Sequence, residues 1–149
     1  MQANIKVIVT GELFDVDGNL KQKFVKHNLI TSSGYDFLAN CFGNNTRPSP
    51  MKYIAVGTGD TAPALTNTAL QAELIRKNGD FSHGEGDKFL TLGITLSPNE
   101  GTGALTEAGI FNSENILFDR VTFPVINKGA LDTYRISFNI YFEEMEVTE

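Results

Sequence analysis

Tyr53-Ile-Ala-Val-Gly-Thr-Gly-Asp-Thr-Ala-Pro-Ala-Leu-Thr-Asn-Thr-Ala-Leu-Gln-Ala-Glu-Leu-Ile-Arg-Lys77 is the most informative stretch of this sequence. It begins inside a mostly apolar segment of strand length, 51–56. Gly57 and Gly59 then allow the chain to turn sharply at the end of a buried strand. Thr68, with Gln71 three residues later, fits a capping box, which predicts a short amphipathic helix over the rest of the stretch. The stretch supplies no nucleophile, base or metal-ligand set.

Alternation of apolar and polar residues predicts strands on both sides of this stretch. The first two, joined by a turn at Asp15–Asn19, form an N-terminal hairpin at about 4–30. Pro124 is expected to close the strand that precedes it, since proline cannot donate to a sheet ladder. The acidic tail 143–149 is expected to fray. The predicted strands are 4–14, 20–30, 51–56, 89–96, 105–111, 116–123 and 133–142.

A second short helix is predicted between the hairpin and residue 43. Thr31-Ser-Ser33 supplies N-cap hydroxyls, and an apolar face of Tyr35, Leu38 and Phe42 follows at helical spacing. Phe37 and Cys41 widen that face, so Cys41 is expected to be a small buried hydrophobe. The segments 43–50 and 78–87 are polar or rich in glycine and proline, and they predict loops.

Together these elements predict one domain over 1–149, with its core at about 51–142. The fold class is mainly β, an antiparallel β-sandwich of about six or seven strands with two short helical insertions. No internal repeat and no linker long enough to separate two domains is present in the sequence.

Composition excludes several classes of function. With 149 residues and 41% apolar residues, the chain can bury a core, and its net charge of −6 opposes binding to nucleic acid through phosphate neutralisation. Lys21, Lys23 and Lys26 are the densest basic group and indicate a solvated hairpin edge. The sequence shows no signal peptide and no apolar run of membrane-spanning length, so we expect no membrane partner.

Two motifs that suggest ligands fail on inspection. Gly57-Thr-Gly-Asp-Thr-Ala62 has the outline of a dinucleotide fingerprint, but Pro63 falls where the phosphate-binding helix should already be running. Asp15-Val-Asp-Gly-Asn19 hints at a calcium loop, yet Leu20 and Lys26 stand where that loop needs glycine and glutamate. A tight loop and a hairpin turn are the favoured interpretations.

The sequence does not predict an enzyme, a cofactor or a metal site. His27, His83 and Cys41 lack the spacing of a zinc set, although a nucleophilic cysteine–histidine pair stays open. A hydrolase could draw an acid and a nucleophile from carboxylates such as Glu107 and Asp119. Acidic residues scattered over loops are more often a solvated surface, so this alternative ranks last.

Two motifs in the correct order carry a family resemblance over about 28–142. The first motif is Ala55-Val-Gly-Thr-Gly-Asp-Thr-Ala-Pro-Ala64, followed by Thr66–Leu70 and Glu73–Lys77; the second is Leu105-Thr-Glu-Ala-Gly-Ile-Phe-Asn112, followed by Leu117–Pro124 and Ile126–Lys128. The chain resembles small virion proteins of tailed bacteriophages, of the tail-fibre, tail-collar or baseplate-associated type. Asn67 departs from the aspartate expected before the threonine, although either residue suits a helix entry.

The resemblance implies a structural virion protein that is made in the host bacterial cytoplasm. Its expected partners are copies of itself, as a homo-oligomer or symmetric array, and other phage structural proteins. The resemblance implies no catalytic residue, and we assign its motifs to folding and assembly. Glu107 can bond exposed amides or pair with Arg120, and Gly109 permits close backbone approach. The predicted structural and assembly residues are Gly57, Gly59, Thr68, Gln71, Glu107, Gly109 and Arg120.

The sequence leaves the position in the particle open. Sheet edges and the loops 43–50 and 78–88 are the expected contact surfaces. A capsid decoration protein is one alternative. A receptor- or carbohydrate-binding module of a tail fibre is another, which is weakened because the four tyrosines fall in predicted strands and helices.

Overall fold

The computed structural model describes the backbone of residues 2–145 and the side chains of residues 5–142. Nine strands and one helix are found in this part of the chain, so the prediction of two helices is wrong and the strand count was too low. The strands are β1 Gln2–Phe14, β2 Leu20–Asn28, β3 Met51–Gly57, β4 Glu73–Asn78, β5 Asp80–Ser82, β6 Phe89–Leu96, β7 Gly103–Asn112, β8 Leu117–Lys128 and β9 Thr133–Met145; the helix is α1 Ser32–Gly43.

The strands form two antiparallel sheets. The five-stranded sheet has the order β2-β1-β9-β6-β5, and the four-stranded sheet has the order β4-β3-β7-β8. The N-terminal hairpin is confirmed, and β1 also pairs with β9 along its whole length, from Gln2 opposite Met145 to Phe14 opposite Thr133. The mainly β, sandwich-like class is therefore correct.

One large core cluster lies between the two sheets. Alternate residues of β6 and β9 point into it, as the sequence pattern predicts, and they meet apolar residues from β3 and β7. Its members from these four strands are Leu92, Ile94, Leu96, Tyr134, Ile136, Phe138, Ile140, Ile54, Val56, Leu105, Ala108 and Ile110.

Helix α1 begins where the sequence predicts, with Thr31 as the N-cap whose hydroxyl accepts from the Gly34 amide. Its buried face differs from the prediction, because Tyr35 and Phe42 are exposed. Gly34 and Phe37 are the buried residues, and an added Cβ on Gly34 would clash with the Phe118 carbonyl of β8. Close packing of the helix on β8 has thus rotated the buried face by one position.

The helix predicted from Thr68 and Gln71 is absent. Residues 58–72 form an irregular loop, and Glu73–Asn78 forms strand β4, which pairs antiparallel with β3. Helix propensities differ by less than about 0.7 kcal/mol between ordinary residues, so pairing with a buried strand outweighs them. Leu74, on this strand, is exposed.

Three other boundaries also differ from the prediction. Strand β8 continues past Pro124 to Lys128 because the register with β7 shifts between Leu105 and Glu107, and the proline lies in this irregularity on an edge strand. The loop 78–87 contains the short strand β5. Strand β9 takes up the start of the acidic tail, and residues 146–149 lie outside the described residues.

Candidate functional site

The carboxylate of Glu107 lies at the centre of an extensive polar cluster. It is fully buried on β7, and three backbone amides of the 58–72 loop donate to it. The amide of Gly59 lies 2.6 Å from Oε2, that of Ala72 lies 2.7 Å from Oε2, and that of Gln71 lies 2.8 Å from Oε1. A buried charge is stable only when it is paired and hydrogen-bonded, and Glu107 meets that requirement.

Arg120 supplies the opposite charge. Its Nε donates to Oε1 of Glu107 at 2.9 Å, and its side chain is also buried. The rest of the guanidinium group reaches the loop, donating to the Thr61 carbonyl at 3.0 Å and to the side-chain oxygens of Thr61 and Asn67 at 3.3 Å. One guanidinium group therefore joins β8, β7 and the loop.

The strand register explains why the two side chains meet. Gly109 lies opposite Arg120, and Glu107 lies opposite Thr122, so Glu107 and Arg120 are diagonal neighbours on one face of the sheet. This is the outer face of the four-stranded sheet, which the 58–72 loop covers. A second, smaller apolar cluster lies with them and comprises Ala55, Leu70, Phe111 and Leu117.

The hydrogen bonds decide the charge state of Glu107. Burial by itself raises the pKa of this carboxyl group, but the amides of Ala72, Gln71 and Gly59 and the Arg120 guanidinium outweigh it. The pKa of Glu107 is consequently lowered from its ordinary value, and the group is a carboxylate at neutral pH. It is a structural anion whose acceptor positions are occupied.

Further hydrogen bonds fix the shape of the 58–72 loop. Oε1 of Gln71 accepts from the amides of Asp60 and Thr61, at 2.9 and 3.0 Å. Oδ1 of Asn67 accepts from the Ala64 amide at 2.9 Å. The hydroxyl of Thr106 donates to the Gly59 carbonyl at 2.7 Å. Side chains thus replace the ladder partners that an irregular loop lacks.

Glycines permit the close approach of these segments. A Cβ on Gly57 would clash with the Ala72 carbonyl and lie 2.7 Å from Oε2 of Glu107. A Cβ on Gly109 would lie 2.7 Å from the Asp119 carbonyl oxygen of β8. Both positions exclude a side chain for steric reasons, because the neighbouring atom is backbone.

The structure therefore brings together all of the predicted site residues except one. Thr68 is exposed, and no hydrogen bond of its side chain is found within the described part of the chain. Sequence reasoning missed Thr61, Asn67 and Thr106. The polar residues Thr61 and Asn67 fall beside Gly, Pro and Ala in a loop, a composition typical of side-chain-to-backbone turns, and that signal could have identified them. Ala72 contributes only its backbone amide, which no feature of the sequence identifies.

A second buried carboxylate, Asp119, lies next to Arg120 in the chain. Oδ2 accepts from Nδ2 of Asn28 at 3.0 Å, while Oδ1 is buried without a hydrogen-bond partner among the described residues. Burial raises the pKa of Asp119 to about 7, against which the hydrogen bonds from Asn28 and the Ile110 amide act only in part. Its buried position gives it no contact with solvent.

His83 and Cys41 are two further candidate residues whose positions the structure describes. Nδ1 of His83 lies 2.7 Å from the Phe89 carbonyl oxygen, and Cys41 is a free thiol on the helix. Within residues 2–145, no three His, Cys, Asp or Glu side chains are grouped closely enough to hold a metal ion. No helix in the same part of the chain has the length and apolar character needed to cross a bilayer.

The Glu107–Arg120 cluster can therefore hold a loop in place on a sheet, and its acceptor and donor groups are used for that purpose. Comparison of the chain with protein-family models, with curated proteins and with solved structures finds no match.

Proposed function

We propose that this chain is a non-enzymatic structural component of a bacteriophage virion, of the tail, collar or baseplate-associated type. In this proposal it assembles through contacts with copies of itself and with other virion proteins. The observation that carries the proposal is the contact between its two resemblance motifs. The first motif contains Gly59 and Thr61, the second contains Glu107 and Arg120, and these residues bind one another.

This contact gives the resemblance a physical meaning. Residues that are distant in sequence form one buried cluster, so the pattern that resembles virion proteins encodes an architecture rather than a reaction. The cluster holds the 58–72 loop in one conformation on the outer face of the sheet. A loop that is already ordered loses little conformational entropy when it docks on a partner, which suits a protein with an assembly role.

The surface also offers sites for contact with partners. Phe42, at the end of α1 and beside the 43–50 loop, is 91% exposed, and Phe81 in the 78–88 segment is 66% exposed. Strands β2, β5, β4 and β8 are the edges of the two sheets. Exposed aromatic side chains and unpaired strand edges are features that partner proteins commonly cover.

The two carboxylates of the alternative hydrolase are poorly placed for catalysis. Glu107 and Asp119 are both fully buried, and Glu107 already accepts four hydrogen bonds. Neither residue lines the large cavity described below. A general acid or a nucleophile has to reach its substrate, so their positions favour a structural role.

Cryo-electron microscopy of intact particles that carry this chain is the direct test. We expect density for it at the tail, collar or baseplate, in multiples of three or six. Density distributed over the capsid would make the protein a decoration protein instead. Absence from the particle would overturn the proposal.

A pair of matched variants tests the contact surface. Phe42→Asp should reduce incorporation into particles without changing the urea midpoint of the free protein, because this side chain makes little contact within the chain. Leu131→Asp is the control, since Leu131 is also exposed, at 62%, but lies in the turn before β9. Equal incorporation of both variants at wild-type levels would exclude the helix end as a contact.

A further inference from the structure

A cavity of about 610 Å³ opens at one end of the sandwich. Its floor is the inner face of the five-stranded sheet, where β1 and β6 begin and β9 ends. Ile5 lies opposite Phe142 in the register there, and Leu90 lies opposite Ile140. All four side chains line the cavity. Its volume falls in the range of natural ligand sites, which is about 300–1,000 Å³.

The walls of the cavity come from the other elements of the fold. Ile110 and Phe118 line it from the four-stranded sheet, and Phe37, Leu38 and Cys41 line it from helix α1. Ile110 and Phe118 belong to the buried core, so the cavity reaches into the space between the sheets. The lining is almost entirely apolar. A ligand inside it can gain from the burial of apolar surface but finds very few hydrogen-bond partners.

The only charged side chains among the described lining residues are two cations, Arg47 and Lys52. Both residues are exposed, and neither takes part in an ion pair within the described residues. The Lys52 ammonium lies 5.9 Å from the centre of the Tyr53 ring and makes no hydrogen bond within the described residues. Among its described lining residues, a protein with a net charge of −6 thus presents two basic residues and no acidic one.

We infer that this cavity binds a single-chain amphiphile with an anionic head group, of the fatty-acid class. The apolar interior suits an alkyl chain, and the exposed cations suit a carboxylate that stays at the solvent boundary. The concave shape between two sheets and a helix favours a slender chain over the broad surface of a globular partner. The inference does not depend on where the protein is located in a particle.

Isothermal titration calorimetry of the full chain with sodium dodecanoate and sodium tetradecanoate, below their micellar concentrations, tests the inference. We expect saturable binding of one molecule per chain. Affinity should rise about fourfold for each methylene group added while the cavity still has room, since each buried methylene contributes about that factor. Absence of saturable binding, or an affinity that does not depend on chain length, would overturn the inference.

Two substitutions on the same helix separate the cavity from the surface. Leu38→Trp places a larger side chain in the cavity and should weaken dodecanoate binding more than tenfold. Phe42→Trp is the matched control, because Phe42 is exposed and does not line the cavity, and it should bind as the wild type does. The chain has no tryptophan of its own, so the fluorescence of each variant also reports whether its ring is buried.

The head-group contact has its own test. Combined Arg47→Gln and Lys52→Gln substitutions should weaken dodecanoate binding tenfold or more and leave dodecanol binding unchanged, because only the carboxylate uses the charges. Lys23→Gln, an exposed cation on β2, is the control. An equal loss for acid and alcohol would overturn the assignment of the head group. Sedimentation of the same variants covers the other occupant: a wild-type dimer that Leu38→Trp dissociates would make the cavity a contact between copies and overturn the inference.

Discussion

Nε of Arg120 lies 2.9 Å from Oε1 of Glu107, and the two side chains are 1% and 0% exposed. Both charges have been removed from water, and their interaction is supported by the loop amides and carbonyl that complete their hydrogen bonds. The pair connects two adjacent strands to a loop that precedes them in the chain. Its removal should therefore affect stability and loop structure together.

Truncation of one partner should be strongly destabilising. Glu107→Ala leaves the Arg120 charge buried and three loop amides without an acceptor, so the free energy of unfolding should fall by about 3–5 kcal/mol. Glu73→Ala is the control, because its ion pair with Arg76 is partly exposed and should contribute less than about 1 kcal/mol. Urea denaturation of both variants measures the difference. A change at Glu107 no larger than that at Glu73 would contradict the structural role given to the pair.

Gln71 should matter more than Thr68. Its side-chain oxygen accepts from two loop amides, so Gln71→Ala should lower the free energy of unfolding by about 1–3 kcal/mol. Thr68→Ala should change it by less than about 0.5 kcal/mol, since Thr68 is exposed. If Thr68 instead capped a helix, Thr68→Ala would lower the free energy of unfolding by about 1 kcal/mol. Hydrogen exchange of the Asp60 and Thr61 amides should accelerate in the Gln71 variant alone.

Gly57 should tolerate no side chain. In Gly57→Ala the new methyl group meets the Ala72 carbonyl and the Glu107 carboxylate, and the resulting strain should cost about 1–3 kcal/mol. Gly43→Ala is the control, because a Cβ at Gly43 would meet no atom within 4 Å. Thermal unfolding monitored by circular dichroism compares the two. Equal melting temperatures would show that the loop can move away from β3 without cost.

Stability should fall as the pH rises from about 4 to about 7. The pKa of Asp119 is raised from 3.8 to about 7 by burial, so in this window the folded chain holds a proton that the unfolded chain has released. This difference in proton binding should remove roughly 2–3 kcal/mol of unfolding free energy between about pH 5 and pH 7, and the dependence should level off at higher pH. Below about pH 4.5 the lowered pKa of Glu107 acts in the opposite sense, and stability falls with further acidification.

Substitution of the buried carboxyl group isolates this effect. Asp119→Asn should flatten the pH dependence between about pH 5 and pH 7, because the amide does not ionise. Asp36→Asn, at an exposed position on α1, should leave the dependence as it is in the wild type. Urea midpoints at several pH values provide the measurement. A pH dependence that survives Asp119→Asn would assign the proton to another group.

Most of the sheet could be predicted from sequence because each strand shows its own alternation. Phe89–Leu96 and Thr133–Phe142 have a clear period of two, and both are strands in the structure. The failure at Glu73–Asn78 has a different origin. This short segment has no decisive alternation, and its conformation is set by pairing with β3, a contact that local pattern does not report.

The candidate site was predicted in part for a related reason. Glu107, Arg120 and the glycines belong to the two sequence motifs. Charged or small residues within otherwise apolar strands can be identified from the sequence. The backbone amides that complete the site belong to Gln71 and Ala72 in a loop, and any residue type except proline supplies an amide. Which amides point at a carboxylate depends on the path of the loop, which local sequence rules do not specify.

The pairing of β1 with β9 has a consequence for synthesis of the chain. Strand β1 is synthesised well before β9, which is one of its two neighbours in the sheet. At typical translation rates the interval is on the order of ten seconds. During this time one edge of β1 has no partner, and its apolar face lacks the shelter of the finished five-stranded sheet. The four-stranded sheet has a shorter wait, since its strands span only Met51 to Lys128. Nascent chains are thus vulnerable to misassociation at β1, and a chaperone that binds there would raise the yield of folded protein.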